Sequence, residues 1–189
     1  MMNDIFMENP ERETVVFGGG CFWCTEAVFK MLKGISSVES GYAGGDVENP
    51  IYEEVATGKT GHAEVVKIEY DSNIVSFNEL LTVFFATHDP TTINRQGKDI
   101  GPQYRSIILY TSPDQKLQAK KFIKELNQSS KMGGEITTEV QPLGQFFKAE
   151  KSHQDYYKNH PEAAYCQVVI NPKLEKVKEK FANLLNKLH

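Results

Sequence analysis

The chain has 189 residues, 40% of them hydrophobic and 24% charged, with a formal net charge of -4. That length is enough for one domain to bury a real core. The dispersed basic residues argue against nucleic acid as the main partner, and no apolar run approaches the roughly 18 residues a membrane span requires. Met1–Arg12 carries acidic residues and no apolar segment of the secretory type. Three cysteines are an odd count and too few for a disulfide scaffold. The expectation is a reducing, cytoplasmic setting in which thiols serve catalysis or metal binding.

Residues 1–13 read as a loose polar lead-in. Thr14-Val15-Val16-Phe17, β-branched and aromatic, predicts a strand running into Gly18-Gly19-Gly20. Phe22 to about Leu32 is apolar at helical spacing and stops at Gly34; Ile35–Tyr42 is a second strand ended by Ala43-Gly44-Gly45. A long turn-rich segment, 43–61, follows. Ala63–Tyr70 sets Val65, Val66, Ile68 and Tyr70 against Glu64, Lys67 and Glu69, a strand pattern. Ser76 with Glu79 has the spacing of a capping box and opens a helix over Phe77–Thr87.

A second long polar loop spans 88–105. Ser106–Thr111 is a strand, Ser112 starts a helix that runs to about Asn127, and Glu135–Pro142 is a strand. Residues 143–165 are irregular apart from a short helical piece near Ala149–Tyr157. Asn171-Pro172 opens a last helix whose Leu174, Val177, Phe181, Leu184, Leu185 and Leu188 share one face, with lysines opposite as a solvated face. The order β-α-β-β-α-β predicts an α+β fold: a two-layer α/β plait with a ferredoxin-like βαββαβ core, extended by further elements and a C-terminal helix. Neither a repeat nor a low-complexity linker divides 1–189, so one domain is expected, with 143–189 as its C-terminal extension. The loops 43–61 and 88–105 are long for a compact domain, and such loops are usually functional.

Cys21 is the leading chemical candidate. It stands between a glycine turn and a helix start, where unsatisfied N–H groups and the helix dipole favour a thiolate, so its pKa is expected to fall toward neutrality. A random cysteine is more often a small buried hydrophobe; the three preceding glycines favour reactivity. Cys24 completes a Cys-x-x-Cys spacing, which suits a redox pair, half of a zinc site or a passenger on the helix. The remaining Cys166 and the histidines form no metal-ligand spacing, so no metal is expected. Cys166 reads either as a core thiol or as a resolving thiol on a mobile segment. Glu54 is an ordinary loop carboxylate unless it is buried beside Cys21, where desolvation makes it a proton donor. Tyr42, Asp99 and Tyr104 gain interest only from standing on the long loops or at their mouths.

These blocks carry a resemblance. Gly20-Cys21-Phe22-Trp23, Gly41-Tyr42-Ala43-Gly44-Gly45, Tyr52-Glu53-Glu54-Val55, Gly58-x-x-Gly61-His62-Ala63-Glu64, His88-Asp89-Pro90 and Gln96-Gly97-x-Asp99-x-Gly101-x-Gln103-Tyr104-Arg105-Ser106 are similar, in order, to the signatures of the peptide methionine sulfoxide reductase A family. The resemblance runs from about Val15 to Ile170. It implies reduction of methionine S-sulfoxide, free or in proteins, by a monomer that needs no metal or organic cofactor. It implies Cys21 as nucleophile, Glu54 as the acid for the sulfoxide oxygen, and Tyr42 and Tyr104 as hydrogen-bond donors to that oxygen. Asp99 is implied as an orienting carboxylate, and Phe22 and Trp23 as the methyl pocket. A sulfenic acid on Cys21 would be resolved as a disulfide, by Cys166 or alternatively Cys24, and recycled by thioredoxin. Two rivals remain at this level. A Cys21–Cys24 thiol–disulfide oxidoreductase would not need Glu54, and a redox-sensing module would not turn over.

Overall fold

β-Branched and aromatic residues build the sheet, and the alternation of side chains along each strand fixes what covers its two faces. The computed structural model describes residues 11–187. In chain order the elements are β1 (Arg12–Gly19), α1 (Phe22–Phe29), β2 (Ile35–Ala43), α2 (Tyr52–Ala56), β3 (Ala63–Asp71), α3 (Phe77–Ala86), β4 (Arg95–Gln96) and β5 (Asp99–Ile100). They continue with β6 (Ser106–Tyr110), α4 (Pro113–Ser129), β7 (Glu139–Pro142), β8 (Phe146–Lys148), α5 (Tyr156–Asn159) and α6 (Asn171–Lys180). A six-stranded mixed sheet has the order β7-β6-β1-β3-β2-β8. Only the β6–β7 pair is parallel. β4 and β5 form a separate hairpin inside the second long loop.

Along β1, Val15 and Phe17 enter the larger core cluster, shared with α1, α3 and α6, while Val16 enters a smaller one on the opposite face. Phe17 stacks on Phe84 of α3 with ring centroids 4.5 Å apart. Ser76 caps α3 as expected: its hydroxyl accepts from the Glu79 N–H (3.2 Å) and the Glu79 carboxylate accepts from the Ser76 N–H (2.8 Å). Such a box satisfies two otherwise orphaned donors.

Several boundaries differ from expectation. α1 stops at Phe29, three residues early, before the turn that leads to Gly34, which has a positive φ of 75°. The segment 43–61 contains α2, a helix too short for periodicity to reveal. Residues 143–165, read as irregular apart from a short helical piece near Ala149–Tyr157, hold the strand β8 before that piece, which is the 3₁₀ turn Lys151–His153 followed by α5. Cys166–Ile170 is a π-helical turn that runs directly into α6. α6 ends at Lys180, and Phe181, whose φ and ψ are -128° and 33°, separates it from the 3₁₀ turn Ala182–Leu184. Arg12 and Glu13 belong to β1, while residues 1–10 and Leu188 lie outside the described residues.

Candidate active site

The sharp passage from β1 into α1 is what presents Cys21. It depends on Gly20, whose φ of 93° lies in the left-handed region and whose hypothetical Cβ would fall 2.6 Å from the Gln96 side chain. Cys21 is the N-cap of α1 (φ -56°, ψ 126°), and its side chain caps nothing. The thiol lines a cleft of about 110 Å³ together with Phe22, Trp23, Tyr52, Glu64, Asp99, Tyr104 and Tyr165. Five segments distant in sequence thus meet at one thiol: the start of α1, α2, the start of β3, the β4–β5 hairpin with the turn after it, and the turn before Cys166.

Glu64 is the cleft's acid. Only 2% exposed, its carboxyl accepts the Phe22 N–H at 3.1 Å, which fixes it beside the residue that follows Cys21. Burial, with smaller contributions from the negative charges of Asp99 and Cys24, pushes its pKa up to about 8 against the lowering effect of the Phe22 N–H. It is therefore a neutral proton donor at pH 7. Tyr52 and Tyr104 bring phenol hydroxyls to the same cleft, and burial raises the pKa of both, which keeps them protonated.

Glu54 does not take the place expected of it. It is exposed in the first turn of α2, where its carboxylate accepts the Ile51 N–H (3.2 Å), and it does not line the cleft. The helix itself is the reason. Once Tyr52–Ala56 coils, Tyr52 faces the cleft, Val55 is buried and Glu53 and Glu54 are exposed.

Tyr42 also misses the cleft. Fully buried on β2, it donates its hydroxyl to Glu150 (2.8 Å), and Glu150 also accepts the Tyr52 N–H (2.8 Å). Tyr42 thus touches the site indirectly, through the carboxylate that holds the start of α2.

Phe22, Trp23, Tyr104 and Asp99 do line the cleft. Trp23 stacks on Tyr156 (centroids 3.6 Å apart, 5° between planes), meets Tyr165 edge-on, and donates its indole N–H to His153 Nδ1 at 3.2 Å. Asp99 accepts a hydrogen bond from the Tyr165 hydroxyl (3.3 Å).

The thiols form a graded set. All three cysteines are free. Cys21 is not pulled toward neutrality; a hydrogen bond with Cys24, burial and the nearby Glu64 raise its pKa, which reverses the expectation from the helix dipole alone. Cys24 is the lowered partner, brought to about 7 by that hydrogen bond, the Lys173 ammonium and the Tyr165 hydroxyl, with burial opposing. Tyr165 lies 3.6 Å from Cys24 Sγ. Cys166 is fully buried, and burial and the charge on Cys24 raise its pKa.

Glu64, Tyr52 and Tyr165 were not selected from sequence. The parity of β3 holds the missing signal for Glu64. Counting back by twos from Tyr70 through Ile68 and Val66 reaches Glu64, so the carboxyl lies on the helix-covered face, across from Tyr42 in the register. A larger groove of about 690 Å³, between the end of α3 and α6, is lined by lysines but holds no nucleophile. Among the described residues no group of three or more His, Cys, Asp or Glu side chains could hold a metal ion, and no helix is long and apolar enough to cross a membrane.

Comparison with known proteins gives a consistent result. Residues 13–185 match the family described as peptide methionine sulfoxide reductase. The chain is 53% identical over 173 residues to the peptide methionine sulfoxide reductase MsrA of Haloquadratum walsbyi, covering 92% of this chain and 98% of that one. It is 56% identical over 161 residues to the MsrA of Nautilia profundicola, covering 85% and 91%. The crystal structure of reduced Mxr1 from Saccharomyces cerevisiae superposes with a TM-score of 0.77 at 33% identity, over 82% of this chain and 89% of that one. Methionine sulfoxide reductase A of Corynebacterium diphtheriae gives 0.76 at 36%, over 82% and 78%.

Proposed function

Because this chain belongs to the peptide methionine sulfoxide reductase family and is an oxidoreductase of the MsrA type, we propose that it reduces methionine S-sulfoxide with Cys21 as nucleophile and Glu64 as acid. One observation carries the assignment of the acid: a carboxyl that is buried, neutral at pH 7 and anchored by the Phe22 N–H shares a cleft with the thiol.

The chemistry follows from what a sulfoxide needs. Its oxygen leaves only when protonated, so attack on sulfur needs a sulfur nucleophile and an acid together. Cys21 sulfur attacks the sulfoxide sulfur and forms an S–S bond, while the protons of Glu64 and of the Cys21 thiol pass to the oxygen, which leaves as water when the S–O bond breaks. That water then attacks the Cys21 sulfur: the S–S bond breaks, methionine leaves, Cys21 carries the oxygen as a sulfenic acid, and the proton released returns to Glu64. Tyr52 and Tyr104 donate hydrogen bonds to the oxygen while charge develops on it. Phe22 and Trp23 receive the S-methyl group, for which an aromatic wall is well suited. Asp99 orients Tyr165 at the rim.

The sulfenic acid is resolved as an intramolecular disulfide in which Cys166 takes part, and a thioredoxin-type dithiol returns the enzyme to its reduced form. The yeast relative Mxr1 is known in complex with Trx2, with a TM-score of 0.56 and 24% identity to this chain, and that complex supports thioredoxin recycling here by analogy. No metal or organic cofactor has a step in this scheme. The β6-β1-β3-β2 order, with antiparallel neighbours throughout, supports reading the core as a ferredoxin-like plait. We take 1–189 as one monomeric reductase domain of a reducing compartment, which repairs oxidised proteins. The test is dithiothreitol-driven turnover on a methionine sulfoxide substrate with the epimers resolved. Consumption of the S epimer alone is expected, and no turnover of either epimer would contradict the assignment.

A further inference from the structure

Glu26 has no task in the reaction derived above, yet it is a carboxyl only 1% exposed, on the same helix as Trp23. Burying such a group costs stability unless it is paired, and an apolar side chain of similar volume is often as stable or more so. What Glu26 holds is therefore informative. Its carboxylate accepts hydrogen bonds from the Asp155 N–H at 3.1 Å and from the Lys30 ammonium at 3.1 Å, and that ammonium also pairs with the Asp155 carboxylate. Asp155 opens α5 with a φ of 54°, a left-handed conformation that costs a non-glycine residue energy and persists where the surroundings hold it. A cavity of about 240 Å³, lined by Glu26, Lys30, Met31, Asp155 and Leu174 among others, lies at this join. Polar bonds, rather than close apolar packing, fix the turn there.

The turn that Glu26 grips carries the residues that hold the indole. Tyr156, the next residue, stacks flat on Trp23, and His153, two residues earlier, accepts the indole N–H. Gln154, between His153 and Asp155, is tied to β2: its side-chain amide accepts the Ser40 N–H at 3.1 Å and donates to the Ser40 carbonyl at 2.8 Å. The turn is thus fastened to β2 on one side and to α1 on the other. Trp23 and Glu26 are three residues apart on α1, so they are neighbours on its surface. The helix that carries the indole also carries the group that anchors the indole's support. We propose that Glu26 is a positioning residue that sets the selectivity of the methyl pocket: through the Asp155 backbone it fixes Tyr156 and His153 against Trp23, and so fixes the wall that excludes S-alkyl groups larger than methyl. The proposal rests on the reading of Trp23 as a wall of that pocket. Glu26 does not itself line the cleft and touches no reacting atom. Lys30 strengthens its grip by bridging it to the Asp155 carboxylate.

Two readouts on the full chain test this. One is the ratio of kcat/KM for methionine S-sulfoxide to that for its S-ethyl analogue, with dithiothreitol as reductant. The other is acrylamide quenching of indole fluorescence, which reports Trp23 alone because the chain has a single Trp. Glu26→Ala should lower the methyl-to-ethyl ratio by about threefold or more, part of what a pocket gives in discriminating one methylene, and should open the indole to the quencher. Glu26→Gln keeps an oxygen for the Asp155 N–H and should retain most of the wild-type ratio. Lys30→Gln, at a half-buried position that tolerates change more readily, should move both readouts the same way by less. A role in stability alone would lower the urea midpoint and leave both readouts at wild-type values. A wild-type value of either readout in Glu26→Ala, or in Lys30→Gln if Glu26→Ala does not fold, would overturn the proposal, and so would a Glu26→Gln chain no more selective than Glu26→Ala. Trp23→Ala separates this from the reading beneath it. If that variant lowers the ratio while Glu26→Ala does not, only the positioning role fails; if it too leaves the ratio unchanged, the pocket reading fails and the proposal with it.

Discussion

The Phe22 amide donates to the Glu64 carboxyl at 3.1 Å, so the residue that follows Cys21 holds the buried carboxyl of the cleft. This bond ties the first turn of α1 to the start of β3 and stands against the desolvation that raises the acid's pKa to about 8. The step that cleaves the S–O bond should therefore lose rate above about pH 8, by tenfold per pH unit, as Glu64 ionises. Below about pH 7 the Cys21–Cys24 pair loses its negative charge and the rate should fall again, the two limbs being apparent values of coupled groups. Single-turnover quench-flow across pH 5–10 checks this. The alkaline limb near 8 should be missing in Glu64→Gln, and its persistence there would assign it to another group.

The same carboxyl costs stability. Its folded-state pKa is raised from 4.5 to about 8, so the native state retains a proton that the unfolded chain releases. The penalty is absent below about pH 4.5, grows between 4.5 and 8, and is complete above 8, where it is of the order of a few kcal/mol. Glu64→Gln removes the ionisation and should stabilise the fold at pH 8 while leaving it nearly unchanged at pH 4.5. Urea unfolding at the two pH values measures the difference; equal effects at both would show that folding does not raise this carboxyl's pKa.

The tyrosines separate by what they touch. Tyr52→Phe and Tyr104→Phe each remove a hydroxyl from the cleft and should lower kcat by up to about 10²-fold, as loss of one oxyanion donor does. Tyr42→Phe leaves the cleft lining intact but frees one arm of the Glu150 bridge to Tyr52, so its effect should be smaller than that of Tyr52→Phe. Steady-state kinetics on the three variants gives the ranking. If Tyr42→Phe proves the most damaging, the bridge matters more than the hydroxyls in the cleft.

Much of this was legible in the chain itself. The glycine turn, the position of Cys21, the aromatic neighbours Phe22 and Trp23, and the importance of the loop bearing Asp99 and Tyr104 all followed from local pattern. What failed was the choice between two carboxylates ten residues apart. Glu54 was the acid that the resemblance implied, on a long loop, yet that loop coils into α2 and turns Glu54 outward. Glu64 looked ordinary because it began an alternating strand, yet the strand's own parity places it inward with Val66 and Ile68. The fall in the Cys21 pKa expected from the helix start also failed, because that argument counted the dipole and omitted Cys24 and Glu64. The lesson is directional. Local pattern finds nucleophiles at turns, whereas an acid made by burial is visible only once strand parity says which face it shares.

Trp23 offers a test of the methyl pocket. Its ring is held by Tyr156, Tyr165 and His153, so it is a rigid wall. Trp23→Ala should lower kcat/KM for methionine sulfoxide by about tenfold or more, the usual worth of an apolar pocket contact. It should also weaken discrimination against sulfoxides with larger S-alkyl groups. Unchanged discrimination between S-methyl and S-ethyl substrates would place the methyl group elsewhere.

The choice of Glu64 over Glu54 as the acid decides the whole scheme. The direct measurement is the single-turnover rate of methionine formation at pH 7 for Glu64→Gln and Glu54→Gln, beside the wild-type chain. Glu64→Gln should slow the step by about 10²–10⁴-fold, the range for loss of a general acid. Glu54→Gln, which alters only an exposed contact to the Ile51 N–H, should remain within about twofold of wild type. A large loss in Glu54→Gln with a near-normal rate in Glu64→Gln would make Glu54 the acid instead.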